Sequence, residues 1–281
     1  MKIKVLKFGG TSVGSVEAIK RSANIICDWS KKSKVIVVLS AMSGETDRLI
    51  NLTKSFSKSP NPVDFDNAIS TGENLSCALM SIYLNNQKTK SKSLHSWQIP
   101  IMTSSEHMKS RILSINKKFL LNELENLDVL VVPGFQGINE RREITTLGRG
   151  GSDTSAVAVA AAMDAECIIY TDVEGVFTTD PNIVPNAKKI NKISYEEMLE
   201  LASQGAKVLQ TRSVELAMRK NTKLSVRSSL KPKKIGTIIT DEKSVLEKNT
   251  VSGIAYTKDE AEITLSRVLD KPGVSSKIFG P

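Results

Sequence analysis

Four short segments combine glycine with side chains that could bind anions or amino groups. Lys7–Gly14 reads KFGGTSVG, Ser40–Asp47 reads SAMSGETD, Thr146–Asp153 reads TLGRGGSD and Tyr170–Pro181 reads YTDVEGVFTTDP. Paired glycines let backbone N–H groups approach phosphate oxygens, and the start of a helix adds partial positive charge. Together the segments predict a ligand-binding site.

Each segment taken alone also has a simpler interpretation. Lys7–Gly14 could be a tight turn, since it is neither a Walker A motif nor G-x-G-x-x-G. Ser40–Asp47 and Tyr170–Pro181 could be loops in which Asp and Thr bond the local backbone. Thr146–Asp153 could be a helix cap with a surface salt bridge. Arg149 argues against that last alternative, because an arginine between glycines offers a planar fork suited to a carboxylate.

The elements between these segments alternate between strands and helices. Apolar, often β-branched runs predict strands at 3–8, 35–39, 128–132, 167–171, 224–227 and 236–239, and helical spacing predicts helices at 15–29, 68–84, 112–124, 153–164, 194–202 and 214–220. This order predicts an α/β fold, a three-layer sandwich with a mainly parallel central sheet and helices on both faces. Ligands of such sheets bind beyond the carboxyl ends of the strands, so we expect all four segments to meet there.

The composition argues against several other classes of protein. The 281 residues are 40% apolar and 25% charged, which is enough for a packed core, and the aromatic fraction of 5% disfavours a stacking platform for nucleic acid. The apolar runs fall short of the about 20 residues of a membrane span. The net charge of +9 comes from dispersed lysines and suits anionic substrates as well as nucleic acid. We expect a cytoplasmic protein that binds neither nucleic acid nor membrane.

Cysteine and histidine are too few for several kinds of site. Cys27, Cys77 and Cys167 lie in apolar stretches without a C-x-x-C pair, which predicts reduced, buried core residues. His95 and His107 are the only histidines and do not form an H-x-x-x-H pair, so we expect no resident metal site. No G-x-S-x-G elbow is present for a serine hydrolase.

The motifs taken together resemble those of aspartokinases, within the amino-acid-kinase superfamily. KFGGTS at Lys7, LGRGGSDT at Leu147, TDVEGV at Thr171 and GAKVL at Gly205 follow the order and spacing of that family, from about residue 2 to the C-terminus. The opening KFGG is shared in looser form by acetylglutamate, glutamate 5- and uridylate kinases. TLGRGGSD together with STGE at Ser70–Glu73 is more particular to aspartokinases.

The resemblance implies transfer of the γ-phosphate of ATP to the β-carboxylate of L-aspartate. This reaction gives 4-phospho-L-aspartate and opens the biosynthesis of lysine, threonine and methionine. No general base is needed, because a free aspartate carboxylate, with a pKa of about 3.9, is already ionised at neutral pH. The implied partners are L-aspartate and MgATP, and the implied cofactor is ATP with Mg²⁺.

The resemblance also implies roles for individual residues. Lys7 and Lys207 would neutralise the transferring phosphoryl group, and Asp153 would hold the lysines in place. The implied acceptor site comprises Thr46, Glu73, Arg149, Gly150, Gly151 and Ser152, and the implied nucleotide site comprises Gly9, Gly10, Ser40, Thr171, Asp172, Phe177 and Asp180.

Three positions depart from the pattern of the family. Phe177 stands where many relatives carry Tyr, which keeps a ring for stacking but removes a hydroxyl. Asn182 stands where Arg is usual, which removes one implied phosphate contact. Gln210 and Thr211 replace the His-Pro of some branches. None of these changes affects a residue assigned to the phosphoryl group.

The resemblance further predicts how the chain divides into domains. Residues 1–228 would form the catalytic domain, 229–250 a linker, and 251–281 an incomplete ACT-like regulatory segment that contains DKPG at Asp270–Gly273. Because this segment is shorter than one ACT unit, we expect a fragment or a truncated product. Homo-oligomers are expected when the full regulatory region is present.

Three alternative functions stay open at this stage. The chain could phosphorylate another acceptor, such as glutamate or acetylglutamate; Glu73 with Arg149 favours an acceptor that carries both an α-amino and an α-carboxylate group. The chain could instead be a non-catalytic nucleotide or amino-acid sensor of the same fold, although Lys7, Asp153 and Lys207 are all present. A nucleic-acid-binding role would rest on net charge alone.

Overall fold

The computed structural model describes residues 2–99, 101–206, 208–241 and 253–255. The strands are β1 (Ile3–Phe8), β2 (Lys34–Leu39), β3 (Ser91–Ser93), β4 (Ile101–Thr103), β5 (Ile112–Ile115), β6 (Val129–Pro133), β7 (Gln136–Ile138), β8 (Ile144–Thr146), β9 (Glu166–Thr171), β10 (Lys192–Ser194), β11 (Leu224–Ser228) and β12 (Thr237–Thr240). The helices are α1 (Val16–Ser30), α2 (Glu45–Phe56), α3 (Pro62–Ile69), α4 (Thr71–Asn86), α5 (Lys117–Glu125), α6 (Gly151–Ala162), α7 (Tyr195–Ser203) and α8 (Thr211–Arg219). Among these helices, none has the length and apolar character needed to cross a membrane.

A central sheet of eight strands has the order β10-β12-β11-β9-β1-β2-β6-β3. Every neighbouring pair is parallel except β11 and β12. The inner strands β2 and β6 are buried almost throughout, because helices cover both of their faces. The predicted α/β fold with a mainly parallel central sheet is confirmed.

Alternate residues of each strand face two separate hydrophobic cores, as the two-residue repeat of a strand requires. Val5 and Ile36 belong to the core that α5, α6, α7 and α8 cover. Leu6 and Val37 belong to the core that α1 and α4 cover. The sheet therefore lies between two helical layers, and the three-layer sandwich is confirmed.

A second, smaller sheet has the order β5-β4-β7-β8 and was not predicted from the sequence. The expected helix at 112–124 was wrong in its first turn, because Ile112–Ile115 is a strand that pairs antiparallel with β4. The helix begins later, where the side chain of Asn116 accepts a hydrogen bond from the N–H of Phe119.

Two further details differ from the sequence-based expectations. The predicted helix at 68–84 is divided at Ser70 into α3 and α4. Cys77 and Cys167 are buried as expected, whereas the prediction of a buried Cys27 was wrong. Cys27 is half-buried, and its Sγ lies 3.3 Å from Oγ1 of Thr89.

The predicted regulatory segment lies almost entirely outside the described residues. Its described part is 253–255, where the N–H of Ile254 donates a hydrogen bond to the carbonyl oxygen of Thr178 at 2.7 Å.

Candidate active site

Three of the four sequence segments meet at the carboxyl edge of the central sheet. Lys7–Gly14 and Tyr170–Pro181 begin in the last two residues of β1 and β9, and Ser40–Asp47 directly follows β2, which is parallel to β1. The N–H of Ser40 donates to the carbonyl oxygen of Phe8 at 3.1 Å, which joins the first two segments. The expectation that parallel strands bring these segments together is confirmed.

The fourth segment, Thr146–Asp153, reaches the same edge by another route. It follows β8 of the small sheet and not a strand of the central sheet. The first turn of α6 brings it to the edge instead. A Cβ on Gly134, which follows β6, would lie 2.8 Å from Cβ of Ser152, so only glycine permits this approach.

Lys7 and Asp153 form an ion pair where β1 meets the start of α6. Lys7 Nζ lies 2.6 Å from Asp153 Oδ1, and the side chains are 11% and 10% exposed. An ammonium and a carboxylate at this distance, both largely removed from water, attract each other strongly. A lysine so close to the glycine turn after β1 places positive charge where an anion would meet backbone N–H groups.

Glu73 is a buried carboxyl group with one oxygen that has no partner. The residue is 3% exposed, and its Oε1 accepts a hydrogen bond from the N–H of Ala41 at 3.1 Å. Its Oε2 is buried and has no hydrogen-bond partner among the described residues. Burial raises the pKa of Glu73 to about 8. An incoming ammonium group would supply the missing partner and favour the ionised carboxylate.

Arg149 is exposed on the segment between β8 and α6, and none of the ion pairs in the described part of the chain includes it. Gly150 follows in the left-handed region, with φ of 72°. The guanidinium is therefore available to an anionic ligand.

The other residues assigned to the acceptor lie at the starts of two helices. Thr46 lies half-buried in the first turn of α2, and Gly151 and Ser152 are buried at the start of α6.

Five of the residues assigned to the nucleotide lie at the ends of β1, β2 and β9, whereas Phe177 and Asp180 lie on the long segment between β9 and β10. Thr171 Oγ1 donates to Asp172 Oδ1 at 3.0 Å, and Phe177 is half-buried and pairs through its backbone with Lys189. Asp180 Oδ1 accepts a hydrogen bond from the N–H of Asn182 at 2.8 Å. Gly9, Gly10 and Ser40 are half-buried at the ends of β1 and β2. Lys207 lies outside the described residues.

Three residues that sequence reasoning missed hold the backbone of Thr146–Asp153, the segment that carries Arg149 (the Arg149 segment). Asp66 and Ser110 are buried and bond Thr146, and Arg212 bonds the carbonyl oxygen of Leu147 at 2.9 Å. Each lies at least 36 residues from its partner in the sequence, so no local pattern could indicate the contact.

The arrangement has what phosphoryl transfer between two anions requires. It combines a lysine beside a glycine turn, a helix N-terminus, a free guanidinium and an unpartnered buried carboxyl group. Such sites act by positioning the reactants and neutralising the charge on the transferring group.

Comparisons with known proteins agree with this chemistry. The model of the amino acid kinase family matches residues 2–228. An aspartate kinase of Pseudomonas putida is 49% identical over the whole of this chain, which spans 69% of that relative.

Solved structures show the same similarity. Aspartokinase III of E. coli, in complex with aspartate and ADP, superposes with a TM-score of 0.75 at 26% identity, covering 86% of this chain and 65% of that one. An aspartate kinase from Synechocystis has the same TM-score at 44% identity, covering 86% of this chain and 40% of that one. The chain therefore belongs to the amino acid kinase family, and to the aspartate kinases within it.

Proposed function

We propose that the chain transfers the γ-phosphate of ATP to the β-carboxylate of L-aspartate. The observation that carries this proposal is the nearly buried pair of Lys7 and Asp153, which fixes a cation at the junction of the glycine turn and the start of α6. The similarity to aspartate kinases along the whole chain supports aspartate as the acceptor.

The proposed reaction forms one bond and breaks another. A β-carboxylate oxygen of aspartate attacks the γ-phosphorus, and the bond from that phosphorus to the β,γ-bridging oxygen breaks, so that ADP leaves with the electron pair. The Mg²⁺ of MgATP would supply further neutralisation of the charge on the phosphate oxygens. Lys7, with Lys207, neutralises the transferring group, and Asp153 keeps Lys7 in place. No group of the protein has to remove a proton.

The acceptor would be recognised through both of its α-substituents. Glu73 offers its unpartnered Oε2 to the α-ammonium group, and Arg149 offers its guanidinium to the α-carboxylate. An N-acetylated acceptor has no ammonium group and would leave Glu73 without a partner. This favours aspartate over acetylglutamate, and the Lys7–Asp153 pair favours a catalyst over a sensor.

The proposed domain boundaries follow the same assignment. The catalytic domain would comprise residues 1–228, followed by a linker at 229–250 and an ACT-like segment at 251–281. Homo-oligomers would form when the full regulatory region is present, and the cytoplasm, where aspartate and ATP occur, would be the compartment.

A trapping assay tests the proposed reaction. The purified chain is incubated with MgATP and hydroxylamine, and aspartate, glutamate and acetylglutamate are supplied in separate reactions. We expect a hydroxamate from aspartate alone, together with a matching amount of ADP. A folded sample that binds ATP but forms no aspartyl hydroxamate would contradict the proposal, and a larger yield from glutamate would reassign the acceptor.

Arg149→Ala is expected to raise KM for aspartate by about ten- to a hundred-fold, because hydrogen bonds to charged groups contribute about 1.5–3 kcal/mol. We expect kcat to change little, since the carboxylate is bound equally in the ground and transition states. For Arg149→Lys we expect a KM for aspartate between those of the wild type and Arg149→Ala, because an ammonium group keeps the charge but cannot make the bidentate contact. Initial rates at varied aspartate measure the effect, and Arg141→Ala, in the exposed turn between β7 and β8, is the control. A fall in kcat with KM unchanged would contradict this role.

A further inference from the structure

The segment that presents Arg149 is held through its backbone by a half-buried arginine. Arg212, in the first turn of α8, donates from Nη1 to the carbonyl oxygen of Leu147 at 2.9 Å and from Nη2 to that of Ser110 at 2.8 Å. Ser110 in turn donates to the carbonyl oxygen of Thr146 through its N–H at 2.9 Å and its Oγ at 3.0 Å. One guanidinium thus joins the segment to the loop between β4 and β5.

Asp66 holds the same segment from the other side. This carboxylate is fully buried and accepts hydrogen bonds from the N–H of Thr146 at 2.9 Å and from its Oγ1 at 2.6 Å. It also contacts His107 Nδ1 at 2.8 Å. Several hydrogen bonds from Asp66 and Ser110 therefore fix Thr146. The carbonyl oxygen of the next residue, Leu147, is instead held by the guanidinium of Arg212.

Leu147 is the last of these bonded residues before a turn that contains two glycines. Gly148 and Gly150, on either side of Arg149, both lie in the left-handed region, with φ of 77° and 72°. Glycines in this region have a wide choice of backbone conformations. The direction in which Arg149 points therefore depends on how firmly the peptide unit after Leu147 is held.

The contacts of Arg212 are unusual for a guanidinium that is partly removed from water. Among the described residues no carboxylate lies within ion-pair distance of it, and burial lowers its pKa. Placing a charge there costs desolvation free energy, and an apolar side chain would fill the space at lower cost. A guanidinium can, however, bond two acceptors at once in a fixed geometry.

The start of α8 also touches the segment on the far side of Arg149. Gln210 is the N-cap residue of α8 and lies close to Gly150. A Cβ atom on residue 150 would come within 2.2 Å of Gln210 Cγ. Arg212 thus contacts Leu147, two residues before Arg149, and Gln210 lies against Gly150, the residue after it. In the sequence, Lys207 lies a few residues before α8.

We propose that Arg212 is a positioning residue of the acceptor site, which fixes the carbonyl of Leu147 so that Arg149 meets the carboxylate of the acceptor. This inference rests on the proposed function, because it assigns Arg149 to the acceptor. Its first consequence, an ordered backbone at 147–151, does not depend on any reaction.

Hydrogen exchange tests the order of the segment without an activity. We compare the wild-type chain with Arg212→Lys, which keeps the charge but loses the fork, and with Arg219→Lys as the control. Arg219 lies on the same helix, is 71% exposed and pairs only weakly, at 3.8 Å, with Glu215. In Arg212→Lys we expect the amide of Gly151, which bonds the carbonyl oxygen of Gly148, to exchange at least about ten-fold faster. The exchange rates of the β2 amides should stay the same in Arg212→Lys, and the exchange rate of Gly151 should stay the same in Arg219→Lys.

Kinetics then separate a positioning role from a purely structural one. For Arg212→Lys we expect KM for aspartate to rise about ten-fold, a cost of about 1.4 kcal/mol, while KM for ATP and the melting temperature stay close to wild type. In Arg212→Ala, millimolar guanidinium should restore KM for aspartate, whereas methylammonium at the same concentration should not. A residue that only stabilises the fold would lower the melting temperature and the active fraction without this selectivity.

The outcomes distinguish this proposal from the proposed function. If the wild-type chain does not phosphorylate aspartate, the function fails and the exchange of Gly151 alone decides whether Arg212 orders the segment. Unchanged exchange in Arg212→Lys, or an equal rise of both KM values, would overturn the positioning role. Faster exchange combined with a selective rise in KM for aspartate would support it.

Discussion

Lys7→Ala is expected to lower kcat by about a hundred- to a thousand-fold, the loss usual when one preorganised electrostatic contact to the transition state is removed. KM for ATP and for aspartate should change much less, because the lysine matters most when charge develops on the transferring phosphoryl group. Lys7→Arg should recover only part of kcat, since the planar guanidinium differs in shape from the ammonium group.

Loss of the ion pair is the main alternative explanation for a slow Lys7→Ala enzyme. Without Lys7, the carboxylate of Asp153 would be almost buried and uncompensated, which is strongly destabilising. The double variant Lys7→Ala/Asp153→Asn removes that charge and serves as the matched control. We expect it to regain the melting temperature but not kcat. Recovery of kcat in the double variant would show that Lys7 acts on the fold and not on the phosphoryl group.

Glu73→Gln is expected to stabilise the unliganded protein at alkaline pH while abolishing the effect of aspartate on its melting temperature. The folded carboxyl group has a pKa of about 8, against an ordinary value of 4.5. Between these values the folded state keeps a proton that the unfolded state has lost. The contribution of Glu73 to stability is therefore present at low pH and falls by about 1 kcal/mol per pH unit as the pH rises towards 8. A glutamine at position 73 does not titrate, so the stability of Glu73→Gln lacks this dependence on pH.

The same carboxyl group should make aspartate binding depend on pH. An ammonium group pairs with the ionised form, so KM for aspartate should fall as the pH rises through about 8, until the amino group of aspartate itself loses its proton. Calorimetry in two buffers of different ionisation enthalpy should show proton release on binding. Glu125→Gln, at the exposed end of α5, is the control. If wild-type KM does not vary with pH, Glu73 does not receive the ammonium group.

The sequence predicted six of the eight strands of the central sheet, because those strands leave a strong local signal, and it missed β3 and β10, which span three residues each. The run Lys34–Leu39 is almost entirely apolar and β-branched, as a strand buried on both faces requires. The small sheet leaves no such signal, since most of its strands span only three residues. Ile112, Ile115 and Phe119 also follow helical spacing, which explains why β5 was predicted as the start of a helix.

The candidate site was predictable to the extent that its residues lie in contiguous motifs. Glycines after β1 and an arginine between glycines indicate anion binding by their types alone. The contacts of Asp66 and Arg212 with the Arg149 segment were not predictable, because both span long stretches of sequence and bond backbone atoms. Backbone acceptors are present in every residue, so they leave no pattern to find.

The position of β1 between β2 and β9 has a consequence for the synthesis of the protein on the ribosome. Lys4 of β1 and Glu166 of β9, which form a contact across this pair, are 162 residues apart. At a translation rate of about 5–20 residues per second, roughly 8–30 s pass between the appearance of β1 and that of its second neighbour. During that time one edge of an apolar strand has no partner, and such edges favour pairing with other chains. The nascent half-sheet should therefore be the stage at which chaperones bind, and slow translation before Glu166 should increase aggregation.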